Sequence, residues 1–292
     1  MIDFIVIVAS IEPFWDFTSL NPFVWKGLEF YPKYKKGKLI GFESDYKGLR
    51  VMLYYERIEV SNSLHKFYKG NNYSRFSYSE LEKTIEIICK KFDIEARFWE
   101  IKKMEFGFVI VTPKPAVEYL NFFFQYKGND FEKMKDKKTE YGRKCYMYAY
   151  ALKVYAKSLQ TKIMDNVVIP DDNLRIEFYY NEKRKLPKAI KTLNDLLDRE
   201  KFKELFNELY QAFTIVVYKD EVDHSNSTNE ERLLFYASLN PDFLRFEEKI
   251  NKGAVKTIKS KIKQLRERFL KKKFKLWFLK SLKTKYIDLY CS

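Results

Sequence analysis

Apolar and polar residues alternate over most of the first 60 positions, the period of two that places successive side chains on opposite faces of a half-buried strand. Four runs carry it: "DFIVIVAS", "GLEFYPKY", "KLIGFES" and "LRVMLYYERIEVS". All are rich in β-branched and aromatic residues and are separated by Lys-Gly and Asp-Tyr-Lys-Gly turns. The period then changes. Ser77 and Glu80 form a capping box ahead of "LEKTIEIICKKF", whose apolar positions have helical spacing. "FWEIKKMEFGFVIV" returns to strand, Thr112-Pro113 opens a helix running towards Phe124, and residues 127–144 form a lysine-rich loop. "YALKVYAKSLQ" and "LRIEFYY" read as two further strands, followed by the helices "AIKTLNDLL" and "KFKELFNELYQAF". Strands and helices mix without regular β-α alternation, which predicts an α+β fold on a mostly antiparallel central sheet flanked by helices.

The polar stretch "DEVDHSNSTNEE" divides the chain into residues 1–224, a catalytic-looking body, and residues 225–292, a basic helical region. A second capping box (Thr228, Glu231) and Asn240-Pro241 start helices beyond it.

Charge sharpens this division. The 292 residues carry a formal net charge of +15. From Lys249 to Ser292, 13 Lys and two Arg face only Glu267 and Asp288, so the body is nearly neutral and the excess lies in the tail. A basic tail on a balanced body calls for a polyanion, with nucleic acid first and an anionic membrane surface second. In "KIKQLRERFLKKKFKLWFLKSLKTK" the Leu, Phe and Trp positions are spaced to pack on the body while lysines such as Lys271, Lys272 and Lys273 face phosphates.

The three cysteines, Cys89, Cys145 and Cys291, form no C-x-x-C, which favours a reducing cytoplasm. No apolar run approaches the roughly 20 residues that span a bilayer. With only His65 and His224, there is no H-x-H pair, no H-E-x-x-H and no basis for a Ser-His-Asp triad. His65 reads as a strand-end histidine bonded to backbone, with a ligand or DNA-contact role as the alternative.

Three strands carry candidate chemistry on their non-core faces. Alternation puts Lys153, Tyr155 and Lys157 together, opposite Val154 and Ala156. It puts Lys103, Glu105 and Gly107 opposite Met104, Phe106 and Phe108, and Arg175, Glu177 and Tyr179 opposite Leu174, Ile176 and Phe178. If the strands are neighbours, Glu105, Glu177 and Tyr155 converge. Two carboxylates and a phenol suit a hard divalent cation, Mg²⁺ or Mn²⁺, that polarises a phosphodiester while the tyrosine attacks. Flanking lysines then serve to stabilise the phenolate. The plainer alternative is a same-face ion pair on each strand, Lys103 with Glu105 or Arg175 with Glu177.

Five short motifs in one order, the "MID" start with its apolar strand, "SLHKFYKGNN", "IKKMEFGF", "KVYAKSLQ" and "LRIEF", resemble the phage and plasmid replication initiators of the filamentous-phage gene II/X type over roughly residues 1–215. The resemblance implies a rolling-circle initiator in a bacterial host's cytoplasm. Such an enzyme nicks one strand of single-stranded or supercoiled origin DNA, keeps the 5′-phosphate on a tyrosine and leaves a 3′-OH for the polymerase. The host helicase and polymerase are the further partners it implies. Carried over, Tyr155 is the nucleophile and Lys157 its Y-x-K partner, while Glu105 and Glu177 are the acidic strand positions. Ser63, Lys66, Gly70 and Asn72 match an S-x-x-K-x-x-x-G-x-N element, with Ser63, Lys66, Asn72 and Lys153 on the DNA side. Ala156 stands where many relatives carry an acid, and Asp3 is the candidate to complete the metal set. The competing classes are a non-catalytic DNA-binding replication or regulatory protein and a peripheral membrane protein held by the basic helix.

Overall fold

The computed structural model describes residues 1–13, 21–220, 222, 223, 225, 227–250, 253 and 255–291; His224 lies outside the described residues. In chain order the strands are β1 (Ile2–Ser10), β2 (Phe23–Trp25), β3 (Leu28–Lys35), β4 (Lys38–Tyr46), β5 (Leu49–Tyr54), β6 (Arg57–Ser63), β7 (Glu100–Val111), β8 (Phe123–Tyr126), β9 (Asn129–Asp130), β10 (Glu132–Asp136), β11 (Thr139–Tyr146), β12 (Tyr150–Ala156), β13 (Asn173–Tyr180) and β14 (Val217–Tyr218). The helices are α1 (Leu64–Lys69), α2 (Tyr78–Phe92), α3 (Ala116–Tyr119), α4 (Lys157–Met164), α5 (Leu193–Leu197), α6 (Arg199–Ile215), α7 (Asn229–Ala237), α8 (Pro241–Ile250), α9 (Val255–Phe269) and α10 (Lys273–Tyr290).

Eleven strands form one sheet in the order β10-β11-β12-β13-β7-β1-β6-β5-β4-β3-β2, antiparallel at every pairing, and β14-β8-β9 form a small second sheet. The fold is α+β, as the mixed periodicities predict. One face of the large sheet is apolar, with Met104, Phe106, Phe108, Leu152, Val154, Leu174 and Ile176 all buried. Helices α6 and α10 lie on that face: Phe106 meets Phe202 at 5.6 Å between ring centroids, and Phe108 meets both Phe206 and Tyr286 at 6.2 Å.

Both capping boxes form as read, Ser77 with Glu80 and Thr228 with Glu231. Elsewhere the local pattern misleads. "LRVMLYYERIEVS" is two strands, because Tyr55-Glu56 makes a turn within it. The helix opened at Thr112-Pro113 begins at Ala116 and continues as a 3₁₀ turn to Phe122, just short of Phe124. Phe123 starts a strand instead, where its ring meets Phe131, Phe213, Tyr218, Phe274 and Phe278. The lysine-rich loop is largely the β10–β11 hairpin, with Lys133 and Lys135 at alternate positions of the edge strand β10; charge is how exposed edges resist pairing. In "AIKTLNDLL" only Leu193–Leu197 is helical, started by a box between Thr192 and Asp195.

The division at 224/225 is one of charge more than of core. Phe274, Phe278, Leu282, Tyr286 and Leu289 of α10 are buried in the same apolar cluster as the body's strands, as the tail's apolar spacing expects. A separate small cluster joins Phe235, Leu265 and Phe269 of α7 and α9. No helix among the described residues is long and apolar enough to cross a membrane.

Candidate active site

The strands that carry Tyr155, Glu177 and Glu105 are adjacent, β12-β13-β7 in the middle of the large sheet. Register sets Lys153 opposite Glu177 and Tyr155 opposite Arg175 on β12–β13, and Tyr179 opposite Glu105 on β13–β7. Two glycines make room for the cluster. Gly142 of β11 pairs with Tyr155, and a Cβ there would stand 2.6 Å from the tyrosine's own Cβ. Gly107 of β7 pairs with Glu177, and a Cβ there would stand 1.9 Å from the Ile176 carbonyl oxygen and 2.9 Å from Glu177 Cγ. Any other residue at either position would displace the site.

Irregularity in β1 adds the fourth group. Ile2 pairs with Phe106 but Ile5 with Met104, so β1 has one residue more than β7 in this interval. Asp3 thereby reaches Ser63, Asn72 and Arg175, although apolar residues surround it in sequence. The S-x-x-K-x-x-x-G-x-N element is a short helix between fixed ends. Ser63 caps α1 by accepting the Lys66 N–H at 2.9 Å, and Gly70 closes it in the left-handed region at φ 73°. Asn72 then spans two charges, donating from Nδ2 to Asp3 at 3.2 Å and accepting from Lys157 Nζ at 3.0 Å.

These groups form one buried network. Tyr155 is 5% exposed, and its hydroxyl donates to Glu177 Oε1 at 2.8 Å. The same oxygen accepts from Arg175 Nε at 3.0 Å, and Arg175 Nη2 reaches Asp3 at 3.5 Å. Lys153 stands between the two glutamates, bonded to Glu105 and 3.7 Å from Glu177. Glu177 therefore has the ion pair with Arg175 that the plainer reading of this strand expects, and it also accepts the phenol of the neighbouring strand. Glu105 pairs with Lys153 across strands, not with Lys103 beside it.

Electrostatics correct the expected role of the lysines. Burial, followed by the charge of Glu177, drives the Tyr155 phenol well above its ordinary value, and Arg175 opposes them only in part. The phenol is a hydrogen-bond donor in need of a base, not a stabilised phenolate. Burial and the repulsion of Glu177 also push Glu105 up to about 7, against the pull of Lys153. Burial works to raise Asp3 too, yet Arg175, Ser63 and Lys157 outweigh it and hold that carboxyl below the usual aspartate value.

The raised Glu105 has a measurable consequence. The folded chain keeps this proton at pH values where the unfolded chain, titrating near 4.5, has released it. Stability through this group thus falls as pH rises from about 4.5 to about 7 and is level above, by a few kcal/mol at most at about 1.4 kcal/mol per unit. His65, pushed by burial to about 2, slopes the other way in any variant and cancels in a comparison. Urea unfolding in the presence of a chelator should therefore show Glu105→Gln gaining stability relative to the parent at pH 8 but not at pH 5. Equal gaps at the two pH values would mean that Glu105 titrates normally.

A depression of ≈ 320 Å³ opens on the network, lined by Asp3, Ser63, Lys66, Asn72, Glu105, Lys153, Tyr155 and Glu177 among others. Lys157 does not line it. The strand ends at Ala156, so Lys157 opens α4 instead of continuing the Tyr155 face; its ammonium is buried against Asn72 and Gln160, and burial lowers its pKa to about 8. Lys271, Lys272 and Lys273 lie far along the chain at the α9–α10 junction, and none lines the Tyr155 depression. His65 is in α1, not at a strand end bonded to backbone. Its ring stacks on Phe76 and its Nε2 lies 3.3 Å from the Ser74 hydroxyl, in a separate narrow cavity of ≈ 120 Å³.

For a divalent cation, Glu105 and Glu177 offer suitable oxygens around a place where Lys153 already supplies positive charge. Asp3 is turned to Arg175, Ser63 and Asn72, and no three His, Cys, Asp or Glu side chains among the described residues form a metal-holding group. Sequence reasoning missed Arg175 as the centre of the network, Gly142 as its clearance, and Tyr141 and Met134, which the β10–β11 hairpin brings to the depression. Period-two alternation in "EKMKD" and "TEYGRKCY" was the available signal for the hairpin, masked by its lysines. No protein-family model matches the chain, and no curated protein matches it.

Proposed function

We propose that the chain nicks and rejoins one strand of DNA through a 5′-phosphotyrosine on Tyr155, the chemistry of a rolling-circle replication initiator. The observation that carries this reading is the Tyr155 hydroxyl donating to Glu177 at the edge of a depression lined by Lys66 and Lys153 together with Asp3, Glu105 and Glu177. Glu177, held by Arg175, takes the phenol proton as the phenolic oxygen attacks phosphorus. The P–O3′ bond breaks, and the 3′-oxygen takes a proton from Lys153. The strand's 5′-phosphate stays on the tyrosine, conserving the bond energy for rejoining.

Two features suit a phosphate here. Lys66 and Lys153 line the depression. No side chain caps α4 at Ala156, so the positive end of that helix starts one residue after Tyr155. Lys157 acts as a positioning residue, holding Asn72 and Gln160 towards the depression. Mg²⁺ or Mn²⁺ would be held by Glu105 and Glu177, where it supplies further positive charge for the phosphate. DNA is the partner this requires. The basic segment from α9 to α10 adds sequence-independent phosphate contacts, with Lys271 and Lys273 among them.

The burial of the phenol favours one alternative, a DNA-binding replication protein without chemistry. A pool of random single-stranded oligonucleotides labelled at the 3′ end, incubated with the full chain and Mg²⁺ or Mn²⁺, separates the two. The expected result is label retained by denatured protein, with the attached nucleotide mapped to Tyr155 by mass spectrometry. Binding of the pool without any covalent label in either metal overturns the enzymatic reading.

A further inference from the structure

A second hollow, of ≈ 670 Å³, lies between helix α9, the start of α10 and the corner where α6 passes into β14. Its size is that of a small-ligand site. It shares no lining residue with the depression around Tyr155. We propose that this hollow binds a nucleoside triphosphate, an inference that does not rest on the nicking reaction.

Its walls differ in chemistry. Ile215, Val217 and Tyr218 give it an apolar side, continued by Ile262 and Leu270 across the hollow. Lys259, Lys263 and Arg266 recur at i, i+4 and i+7 on α9, which puts them on one helix face, and Lys272 and Lys275 join them from α10. Only Asp220 and Glu267 oppose these five cations on the lining, and Asp220 already accepts the backbone N–H of Lys275 at 3.2 Å.

Among the described residues, four of the hollow's cations stand without a carboxylate partner, in contrast to two cations close by. Arg268 pairs with Glu231 at 2.5 Å, and Lys271 lies 3.8 Å from Asp223. Among the described residues, the side chains of Lys263, Arg266, Lys272 and Lys275 pair with no carboxylate. Arg266 is held by the Ser238 carbonyl at 2.7 Å, while its buried Nε has no hydrogen-bond partner. Burial lowers the pKa of both Arg266 and Lys275.

The required ligand has two parts. A monocarboxylate would answer one of these four cations, and an inorganic phosphate would leave the apolar side wet. A nucleoside triphosphate satisfies both. Its base and sugar cover Ile215, Val217 and Tyr218, and its phosphates lie among Lys263, Arg266 and Lys272.

Titration calorimetry on the full chain with ATP, GTP, CTP and dTTP, beside inorganic triphosphate and a short single-stranded oligonucleotide, tests this. The expected result is 1:1 binding of at least one nucleotide, about tenfold or more tighter than inorganic triphosphate. Lys263→Ala with Lys272→Ala, both at exposed positions, should weaken it by about tenfold or more, as lost charge-assisted contacts do. Lys261→Ala with Lys280→Ala, exposed and off the lining, should leave it unchanged, and melting curves of both variants report that the fold is retained. Four results overturn the proposal: no nucleotide binding up to about 1 mM, equal binding of inorganic triphosphate, equal weakening by the outer pair, or an oligonucleotide that binds the site as tightly as the nucleotide. The last would give the hollow to the phosphates of a DNA strand.

Discussion

Tyr155→Phe is expected to eliminate the covalent DNA adduct and to lower strand transfer by about 10³-fold or more, the scale on which loss of a nucleophile is felt. It is expected to do so in a protein that is still folded. The substitution removes one hydroxyl and keeps the ring, which packs unchanged beside Gly142. Glu177 loses one donor at 2.8 Å but keeps Arg175 at 3.0 Å and Lys153 at 3.7 Å, so its charge stays compensated. The stability cost is therefore that of one hydrogen bond, about 1 kcal/mol. The adduct assay and urea unfolding, run on the same preparation, give both numbers. A phenylalanine variant that still forms the adduct would transfer the role to another of the 22 tyrosines and remove the assignment.

The position of Tyr155 also shows what a sequence can and cannot convey. Its face on β12 is legible from alternation alone, because a strand has a fixed period of two and Leu152 and Val154 mark the core side. The same rule places Glu105 and Glu177 correctly on their strands. Alternation breaks down where backbone geometry changes within the motif. Lys157 is two residues beyond Tyr155 but belongs to α4, and nothing in "KVYAKSLQ" marks the strand's end more strongly than its continuation.

Long-range facts were out of reach for a different reason. That β13 lies between β12 and β7, and that an extra residue in β1 carries Asp3 to Arg175, depends on pairing among segments up to 172 residues apart. Arg175 looked like half of a local ion pair because its other partner is that distant aspartate. The expected lowering of the phenol by lysines failed on burial, since the non-core face of the strand is covered by the network itself. The lysine-rich segment 127–144 failed on composition, where charge outweighed the alternation of a hairpin that supplies Tyr141 and Met134 to the depression.

Arg175→Met should be the most destabilising single change in the site, lowering stability by about 3–5 kcal/mol at pH 7, the cost of leaving buried charge without its partner. Arg175 is 3% exposed and serves two carboxylates on different strands, Glu177 at 3.0 Å and Asp3 at 3.5 Å. Methionine fills similar space but leaves both acids in the interior, where Lys153 is closer to Glu105 than to Glu177 and reaches neither oxygen of Asp3. The loss should depend on pH in a defined sense. Burial alone would raise Asp3, and Arg175 is the largest of the groups that bring it below its ordinary 3.8. In the parent, stability from Asp3 is present above that value and is lost as pH falls through the depressed one. The variant lacks this contribution, so the gap between the two proteins should be widest at neutral pH and should narrow below about pH 4. Adding Glu177→Gln to Arg175→Met removes one of the stranded charges, and the double variant should recover about 1–3 kcal/mol relative to additivity. Urea midpoints at pH 7 and pH 3.5 for the parent, the two single variants and the double variant measure all of this. An Arg175→Met protein within about 1 kcal/mol of the parent at pH 7, with no coupling to Glu177→Gln, would place Arg175 in solvent and dissolve the network on which the strand-transfer mechanism stands.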